Sequence, residues 1–330
     1  MPPNLPLIRL SSVNPFLLEL SRRNLDGGVI LRKMGLPAQV PASGDLFASA
    51  LAVYEIVEEC AQIADDRYLG HRIGQEMDPV QWEPIAQAIA DASTVGDLLG
   101  HFVVNTLAHT SSTQFFVRTE GERSTFGFTR IVVPTFQPGQ NDAFYLGLIT
   151  NLLKQAVAQK WDATKLLATV SDPDAIPSSG QGIRLAQGDH TGIRMSFPTA
   201  WQFAPLAKRA FGITVQSSRE GEVPKSLLDS VHQALIPHLS ESKLTVDRAA
   251  EICGYDKRQL SRNLRIQGTT IVKELAALRA ASAREKIAGT KMRIADIGST
   301  VGFRDPTVFS RAFKNWTGQS PQEFRRNNKH

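Results

Sequence analysis

Apolar residues recur at helical spacing in several parts of the first 215 residues. Between Asp45 and Ala64 they return every three or four positions, which predicts an amphipathic helix with Asp45 as its N-cap. Residues 79–92 and 94–107 are typical of helices too, and Thr94 with Asp97 three positions later matches a capping box. A further helix is predicted over about 142–160.

Aromatic and β-branched residues dominate the segments that follow Ser111. Residues 114–119 and 124–133 predict two strands, and Glu120-Gly121-Glu122 between them predicts the tight turn of a hairpin. Shorter strands are predicted near 165–170, 183–186 and 193–197. The pattern becomes polar, with glycine and proline, at 217–224, which predicts a linker. An α+β domain over 1–216 is therefore expected to precede a second domain over 225–330.

The second domain carries one short pattern twice. Gly254-Tyr255 is followed by Ser261-Arg262, and Gly302-Phe303 is followed by Ser310-Arg311, each time between two helix-like segments. Each copy is typical of a helix-turn-helix, and two copies about 48 residues apart rarely arise by chance. The residues between them, about 271–288, are rich in helix formers and predict a connecting rod of roughly 26 Å.

The second helix of the first copy has two chemically different faces. Leu260 and Leu264 lie four residues apart and are expected to face the core. Arg258, Arg262 and Arg265 fall on the opposite face. Because arginine can bridge guanine O6 and N7 or clamp a phosphate, this face is a candidate DNA surface.

The second copy repeats this division. Phe309, Phe313 and Trp316 form a stripe that is expected to be buried, because large apolar side chains at this spacing usually belong to a core. A single outward arginine is usually part of a surface ion pair, but Arg311 matches Arg262 of the first copy, which favours DNA contact. The outward positions of this helix are Thr307, Ser310, Arg311 and Lys314.

The positive charge is concentrated in the second domain. Residues 225–330 contain 19 Lys and Arg against 10 Asp and Glu, whereas the first 224 residues contain 18 against 22. A basic domain attracts polyanions because binding releases their condensed counterions. Charge alone is equally compatible with a solvated surface, so the DNA interpretation depends on the doubled pattern.

The remaining sequence shows no pattern of an enzyme, a cofactor site or a metal site. It contains no HExxH, no phosphate-binding loop and no Gly-x-Ser-x-Gly, and Cys60 and Cys253 form no CxxC pair. No apolar run approaches the ~18 residues of a membrane helix, and the first residues do not resemble a secretory signal. We therefore expect no catalytic residue, no cofactor, no membrane partner and a cytoplasmic location.

Residues 245–326 resemble the DNA-binding domain of the AraC/XylS family of bacterial transcription regulators. The stretch IADIGSTVGFRDPTVFSRAFKNWTGQSPQEFR over 294–325 resembles the family signature along its whole length. The resemblance implies an all-α domain of about seven helices, in which a long helix joins two helix-turn-helix units. Gly298, where many members have alanine, implies a slightly looser helix crossing, and Pro306 implies fewer bases read. The family's base-reading positions fall on Arg258, Ser261, Arg262, Thr307, Ser310 and Arg311.

The first domain does not resemble the all-β sugar-binding jelly roll of the family's founding members. It is similar to the longer α+β effector domain of the regulators of the ornithine-utilisation and quorum-sensing type. This resemblance carries no motif that maps onto ligand residues. It implies small-molecule sensing, dimerisation, or both.

The expected function is therefore a transcription regulator, an activator by family analogy, with promoter DNA, RNA polymerase, a second copy of the chain and a small-molecule effector as partners. One alternative is a regulator without a small-molecule ligand, controlled by a protein partner or by its abundance. A cavity with polar groups would favour sensing over that alternative. Another is a DNA-tethered enzyme such as a repair methyltransferase, which would need a reactive cysteine that Cys60, on an apolar helix stripe, does not provide.

Overall fold

The computed structural model describes residues 5–40, 46–177, 182–206 and 226–328. These residues divide into two compact units. The N-terminal unit holds Pro6–Lys33 and the described residues from 38 to 206. The C-terminal unit holds residues 226–328 together with Leu5 and Met34–Pro37. The predicted linker at 217–224 lies outside the described residues, so this domain boundary stays a prediction.

The N-terminal unit mixes helices and strands, as the α+β prediction required. Its helices are α1 (Asn14–Arg22), α2 (Gly28–Lys33), α3 (Ala50–Ile63), α4 (Leu69–Glu76), α5 (Glu83–Asp91), α6 (Val95–Asn105) and α7 (Gly139–Val157). Its strands are β1 (Leu7–Arg9), β2 (Phe47–Ser49), β3 (Thr113–Glu120), β4 (Arg123–Arg130), β5 (Leu167–Val170), β6 (Arg184–Gln187) and β7 (Gly192–Pro198).

Five of these strands form one sheet in the order β3-β4-β7-β5-β6. Strands β5 and β6 run parallel, and the other neighbours run antiparallel. The predicted hairpin is confirmed, because β3 pairs with β4 along its whole length. Phe126 and Phe128, two positions apart, are both buried. The Phe128 ring lies 5.1 Å from that of Tyr145, centroid to centroid, so the sheet and α7 share an aromatic core.

The helix predicted to begin at Asp45 begins later. Residues Phe47–Ser49 form a buried strand that pairs with β1, and α3 starts at Ala50. The Ser49 hydroxyl caps α3 by accepting a hydrogen bond from the Ala52 amide at 3.3 Å. Asp45 itself lies outside the described residues. A short buried strand and the first turn of a buried helix show similar apolar runs, which explains the error.

The other predicted helices of this unit are correct in kind but differ at their ends. The segment from residue 79 opens with a short 3-10 turn before α5, and the helix predicted over 142–160 runs from Gly139 to Val157. The capping box of α6 is confirmed. Thr94 accepts from the Asp97 amide at 3.2 Å, and Asp97 accepts from the Thr94 amide at 3.0 Å.

A buried ion pair joins the sheet to α7. Arg130 at the end of β4 pairs with Asp142 in the first turn of α7, and both side chains are fully buried. Asp142 also accepts from the Ser171 amide at 2.9 Å, and Arg130 donates to the His190 carbonyl at 3.0 Å. These additional hydrogen bonds satisfy much of the hydrogen-bonding capacity that burial would otherwise leave unmet.

The C-terminal unit is all-α, as predicted. Among residues 226–328 the helices are α8 (Leu227–Leu235), α9 (Val246–Ile252), α10 (Lys257–Ile266), α11 (Ile271–Gly289), α12 (Ile294–Thr300), α13 (Pro306–Thr317) and α14 (Pro321–Asn327). The count of seven agrees with the family expectation. In the parts of the chain that the structure describes, no helix is long and apolar enough to cross a membrane.

Helices α11, α12 and α13 share one apolar core. Its buried members are Ala283, Ile287, Ile297, Val301, Phe309 and Phe313, with Trp316 packed against it. The predicted stripe of α13 is therefore confirmed at Phe309 and Phe313, whereas Trp316 is half-buried. The expectation about Gly298 is wrong, because a Cβ atom there would lie only 3.0 Å from Phe309 Cγ. The glycine allows a closer crossing of α12 and α13, not a looser one.

The pH dependence of stability should report the burial of Glu58. Burial raises the pKa of Glu58 to about 7, with the nearby Asp142 charge contributing. Its carboxyl accepts a hydrogen bond from the Gln140 amide at 2.7 Å. Because the pKa in the unfolded chain is about 4.3, the folded state holds the proton more tightly. The unfolding free energy should therefore fall by roughly 2–4 kcal/mol as pH rises from about 4.5 to 7.

Glu58→Gln should remove this part of the fall, because the amide oxygen can still accept from Gln140 but has no proton to lose. Chemical unfolding at several pH values measures the slope. Glu55→Gln, an exposed change on the same helix, is the matched control and should retain the wild-type slope. Equal slopes for the wild type and Glu58→Gln would contradict the assignment.

Candidate nucleic-acid interface

Matching turns join α9 to α10 and α12 to α13. The Tyr255 amide donates to the Ala250 carbonyl at 3.0 Å, and the Phe303 amide donates to the Gly298 carbonyl at 2.9 Å. This bond across five residues closes a helix end and requires a left-handed residue just before the donor. The residues in that conformation are Gly254, with φ +68°, and Gly302, with φ +85°.

An aspartate caps the second helix of each pair. Asp256 accepts from the amides of Arg258 and Gln259, each at 2.9 Å. Asp305 accepts from the Thr307 amide at 2.7 Å, and this hydrogen bond is the main reason why its pKa lies below the usual range. The turn that contains Gly302 has one residue more than the turn that contains Gly254. Ser310 therefore follows Phe303 by seven residues, whereas Ser261 follows Tyr255 by six. Both helices therefore start from the same local geometry.

Three arginines line the outer face of α10. Arg258, Arg262 and Arg265 are exposed, whereas Leu260 and Leu264 are buried beneath them. The predicted division into two faces is confirmed. None of the three guanidinium groups forms a hydrogen bond or an ion pair with another residue that the structure describes. Ser261, the fourth predicted position of this helix, is half-buried.

Other arginines of the same unit have hydrogen-bond partners within the protein. Each of them donates to a carbonyl or carboxylate oxygen, as in the bond from Arg325 to the Met292 carbonyl at 2.7 Å. This group comprises Arg248, Arg279, Arg284, Arg293 and Arg325. These arginines have a structural partner within the protein. The arginines on α10 have none among the described residues, so all five N–H donors of each guanidinium group remain available to an external anion or base.

Helix α13 presents a smaller polar face. Thr307, Arg311 and Lys314 are exposed, opposite the buried Phe309 and Phe313. Arg311 forms no ion pair with any described residue within 4 Å, and its charge acts on Asp305 only as a minor contribution to the lowered pKa of that carboxyl. The remaining predicted position differs, because the half-buried Ser310 donates its hydroxyl to the Pro306 carbonyl at 2.8 Å. Only its lone pairs remain available to an outside donor.

Two apolar side chains on these outer faces were not predicted from the sequence. Val308 in the first turn of α13 is 49% exposed, and Ile266 at the end of α10 is 67% exposed. Both are β-branched residues that do not belong to the apolar stripe of their helix. The available signal was that each falls between the stripe positions, on the arginine side of the helical wheel.

The N-terminal unit contains a cleft of about 1070 Å³. Both polar and apolar side chains line it, and they come from residues 11–28, 38–40 and 72–78 together with Trp82 and His109. Its lining includes Ser11, Ser12, Asn14, Leu18, Glu19, Arg72, Ile73, Asp78, Trp82 and His109. This size lies just above the range of about 300–1,000 Å³ that is typical of small-molecule sites.

Charge in this cleft is mixed. Arg72 pairs with Asp66, and Glu19 pairs with Arg23 at 2.9 Å. Burial, and secondarily the charge of Arg9, lowers the pKa of His109 to about 4, so this imidazole is neutral near pH 7. Within the described ranges no group of three or more His, Cys, Asp or Glu side chains could hold a metal ion.

Two family models match this chain. One, described as a helix-turn-helix domain, matches residues 249–327. The other, described as the arabinose-binding domain of AraC transcription regulator, matches residues 25–175. Together they cover parts of both structural units.

Curated relatives match this chain over about a third of its length. The arabinose operon regulatory protein of Escherichia coli (strain K12) is 35% identical over 94 residues, which is 28% of this chain and 32% of that protein. The ornithine utilization regulator of Pseudomonas aeruginosa is 30% identical over 104 residues, 32% of this chain and 30% of that protein. The matched stretch spans about a third of the length of these relatives.

Among solved structures, the transcriptional regulator CdpR from Pseudomonas aeruginosa aligns over 96% of this chain and 98% of its own, with a TM-score of 0.40 and 14% identity. The match to the ornithine utilization regulator is consistent with the subgroup expected from the sequence. With two matching turns, two aspartate caps and both family models, this chain is similar to AraC-type transcription regulators over residues 25–175 and 249–327.

Proposed function

We propose that this protein is a transcription regulator that binds promoter DNA sequence-specifically through α10 and α13, each in a major groove. One observation carries the proposal. Each helix buries an apolar stripe and turns outward cationic side chains that form no hydrogen bond or ion pair with another described residue; they are Arg258, Arg262 and Arg265 on α10, and Arg311 and Lys314 on α13. A 19-residue connecting helix is compatible with grooves one helical turn, about 34 Å, apart.

The exposed side chains suit different tasks in the groove. Arg262 and Arg311 occupy matching places in the two units and are proposed to read bases, as arginine does with guanine. Lys314 lies one turn further along α13 and is proposed to contact a phosphate. The other proposed DNA contacts are Arg258, Ser261, Arg265, Thr307 and Ser310, and Val308 has a surface suited to a thymine methyl group.

The N-terminal unit is proposed to sense a small molecule. A cleft with mixed polar and apolar lining is the observation that favours sensing over control by a protein partner or by abundance. The names of the arabinose operon and ornithine utilization regulators suggest that related proteins respond to small metabolites. The two nutrients differ in charge, and the mixed charge of this cleft does not select between them.

Activation through RNA polymerase in the bacterial cytoplasm is the proposed outcome, by analogy with the family. The alternative of a DNA-tethered enzyme would need a reactive cysteine, and Cys60 does not provide one. Cys60 is buried on α3, and burial raises the pKa of its thiol to about 12, so almost none is thiolate at pH 7. We therefore infer a regulator and not an enzyme.

Selection of bound DNA tests the proposed function. The full chain is incubated with a random duplex pool at physiological salt, and the retained DNA is sequenced. The two helix-turn-helix units of each bound chain should enrich one pair of conserved blocks whose centres lie about 10–10.5 base pairs apart. Retention without any enriched sequence would contradict sequence-specific binding and leave only polyanion attraction.

Single substitutions should separate base readers from phosphate contacts. Arg262→Ala and Arg311→Ala should each weaken binding to the selected site by about 1–3 kcal/mol and relax the preference at one position. Lys314→Ala should weaken selected and scrambled DNA alike and reduce the salt slope by about one. Titrations of each variant against both DNAs at several salt concentrations measure these effects.

The matched control is Arg293→Ala, because this arginine is also exposed but pairs with Asp296 at 2.7 Å on α12. It should bind both DNAs within about 0.5 kcal/mol of the wild type. If Arg262→Ala and Arg311→Ala lost affinity equally for scrambled DNA, these arginines would be backbone clamps. Base reading would then fall to Arg258, Ser261, Thr307 and Ser310.

The regulator is further proposed to act as a two-fold dimer, the commonest symmetry of soluble oligomers. A single tandem reader covers only about two turns of DNA, and a second copy would extend the site. Sedimentation of the full chain at tens of micromolar should show a species of twice the 36.2 kDa chain mass. A single species of monomer mass would point instead to a regulator that binds DNA as a monomer.

A further inference from the structure

Three segments of the C-terminal unit meet at one point beside the second turn. They are Leu239–Glu241 before α9, Arg279 in the middle of α11, and the turn that contains Gly302. A Cβ atom at position 302 would lie 2.8 Å from the Leu239 carbonyl oxygen and 2.9 Å from the Glu241 carbonyl oxygen. The turn of the second helix-turn-helix therefore rests directly on the backbone that leads into the first.

Arg279 closes this junction. Its Nη2 donates to the Glu241 carbonyl at 3.4 Å, and its guanidinium carbon lies 5.7 Å from the centroid of the Phe303 ring. The group is half-buried, and its Nε is a buried donor without a hydrogen-bond partner among the described residues. Burying a donor in this way costs free energy, so an apolar side chain would suit stability alone at least as well.

The contacts continue from the junction to the first helix-turn-helix. The Glu241 carboxylate, whose own backbone carbonyl accepts from Arg279, lies 3.4 Å from Arg248 Nε on α9. The same carboxylate lies 2.7 Å from His238 Nδ1. A continuous series of contacts thus leads from Phe303 through Arg279 and Glu241 to Arg248. Such a series can hold two elements in one relative orientation.

We propose that Arg279 is a positioning residue that fixes the rotation of one helix-turn-helix unit against the other. It thereby sets the spacing that the protein accepts between the two DNA blocks, here called half-sites. This inference rests on the proposed DNA-binding function. One added base pair moves a half-site by about 3.4 Å and turns it by about 34–36° around the duplex axis. A joint that cannot rotate should reject that change, whereas a loosened joint should tolerate it.

The test uses the full chain and the site obtained by selection, with the two blocks moved one base pair apart or together. Wild-type affinity should fall at least about tenfold on either altered duplex. Arg279→Met keeps the length of the side chain and removes the charged group. The affinity of this variant should fall less than about threefold on the altered duplexes. Its salt slope should equal that of the wild type, because Arg279 faces the junction and not the DNA.

Two further variants make the result specific. Arg279→Lys keeps the charge without the planar group and should lie between the wild type and Arg279→Met. Arg284→Met is the matched control, because this arginine lies on the same helix but, among the described residues, bonds only to the Trp316 carbonyl of α13, at 3.5 Å. It should keep the wild-type spacing preference. Thermal unfolding of each variant checks that the fold is intact.

Distinct outcomes separate the two proposals. A wild-type chain that selects no sequence refutes the proposed function. A wild-type chain that selects a site but accepts every spacing refutes the fixed joint alone. An unchanged spacing preference in both Arg279→Met and Arg279→Lys also overturns the inference. So does a salt slope that is reduced by about one in these variants, because that reduction would identify Arg279 as a phosphate contact. If Arg279→Met does not fold, Arg279→Lys decides by the same comparison.

Discussion

The packing of α12 and α13 against the connecting helix α11 is the constraint on which the DNA-binding unit depends. Phe309 and Phe313 of α13 are fully buried in this core, and each contributes on the order of 1.5–3 kcal/mol by leaving water. Once one side of α13 is committed to the core, Arg311 and Lys314 can only point outward. The orientation of the proposed DNA surface is thus a consequence of apolar burial and needs no contact of its own. The same reasoning holds for α10, where Leu264 lies beneath the arginine face.

The parts of the structure that the sequence predicted well are governed by local rules. A stripe at helical spacing, an aspartate cap and a turn glycine each depend on residues within a few positions, so α10 and the face of α13 could be placed by residue number. Strand β2 was missed because a three-residue buried strand and the start of a buried helix look alike in sequence. Gly298 was misjudged because its effect depends on Phe309, which approaches from another helix.

Contacts between distant segments lay beyond sequence reasoning. The junction at Arg279 joins residues 239–241 to residue 302, and nothing in their spacing indicates that they meet. The cleft of the N-terminal unit likewise collects Ser12, Arg72 and His109 from separate elements. The buried pair of Arg130 and Asp142 bridges β4 and α7 in the same way. Such assemblies follow from tertiary packing, which a single sequence does not reveal without the fold.

Methylation interference on the selected duplex shows whether both helix-turn-helix units engage adjacent major grooves on one face of the DNA. Guanine N7 lies in the major groove, so a methyl group there blocks a recognition helix. We expect each bound chain to give two clusters of interfering guanines whose centres lie about 10–10.5 base pairs apart. A single cluster per chain, or two clusters separated by about half a helical turn and hence on opposite faces, would show that the two units do not read adjacent grooves.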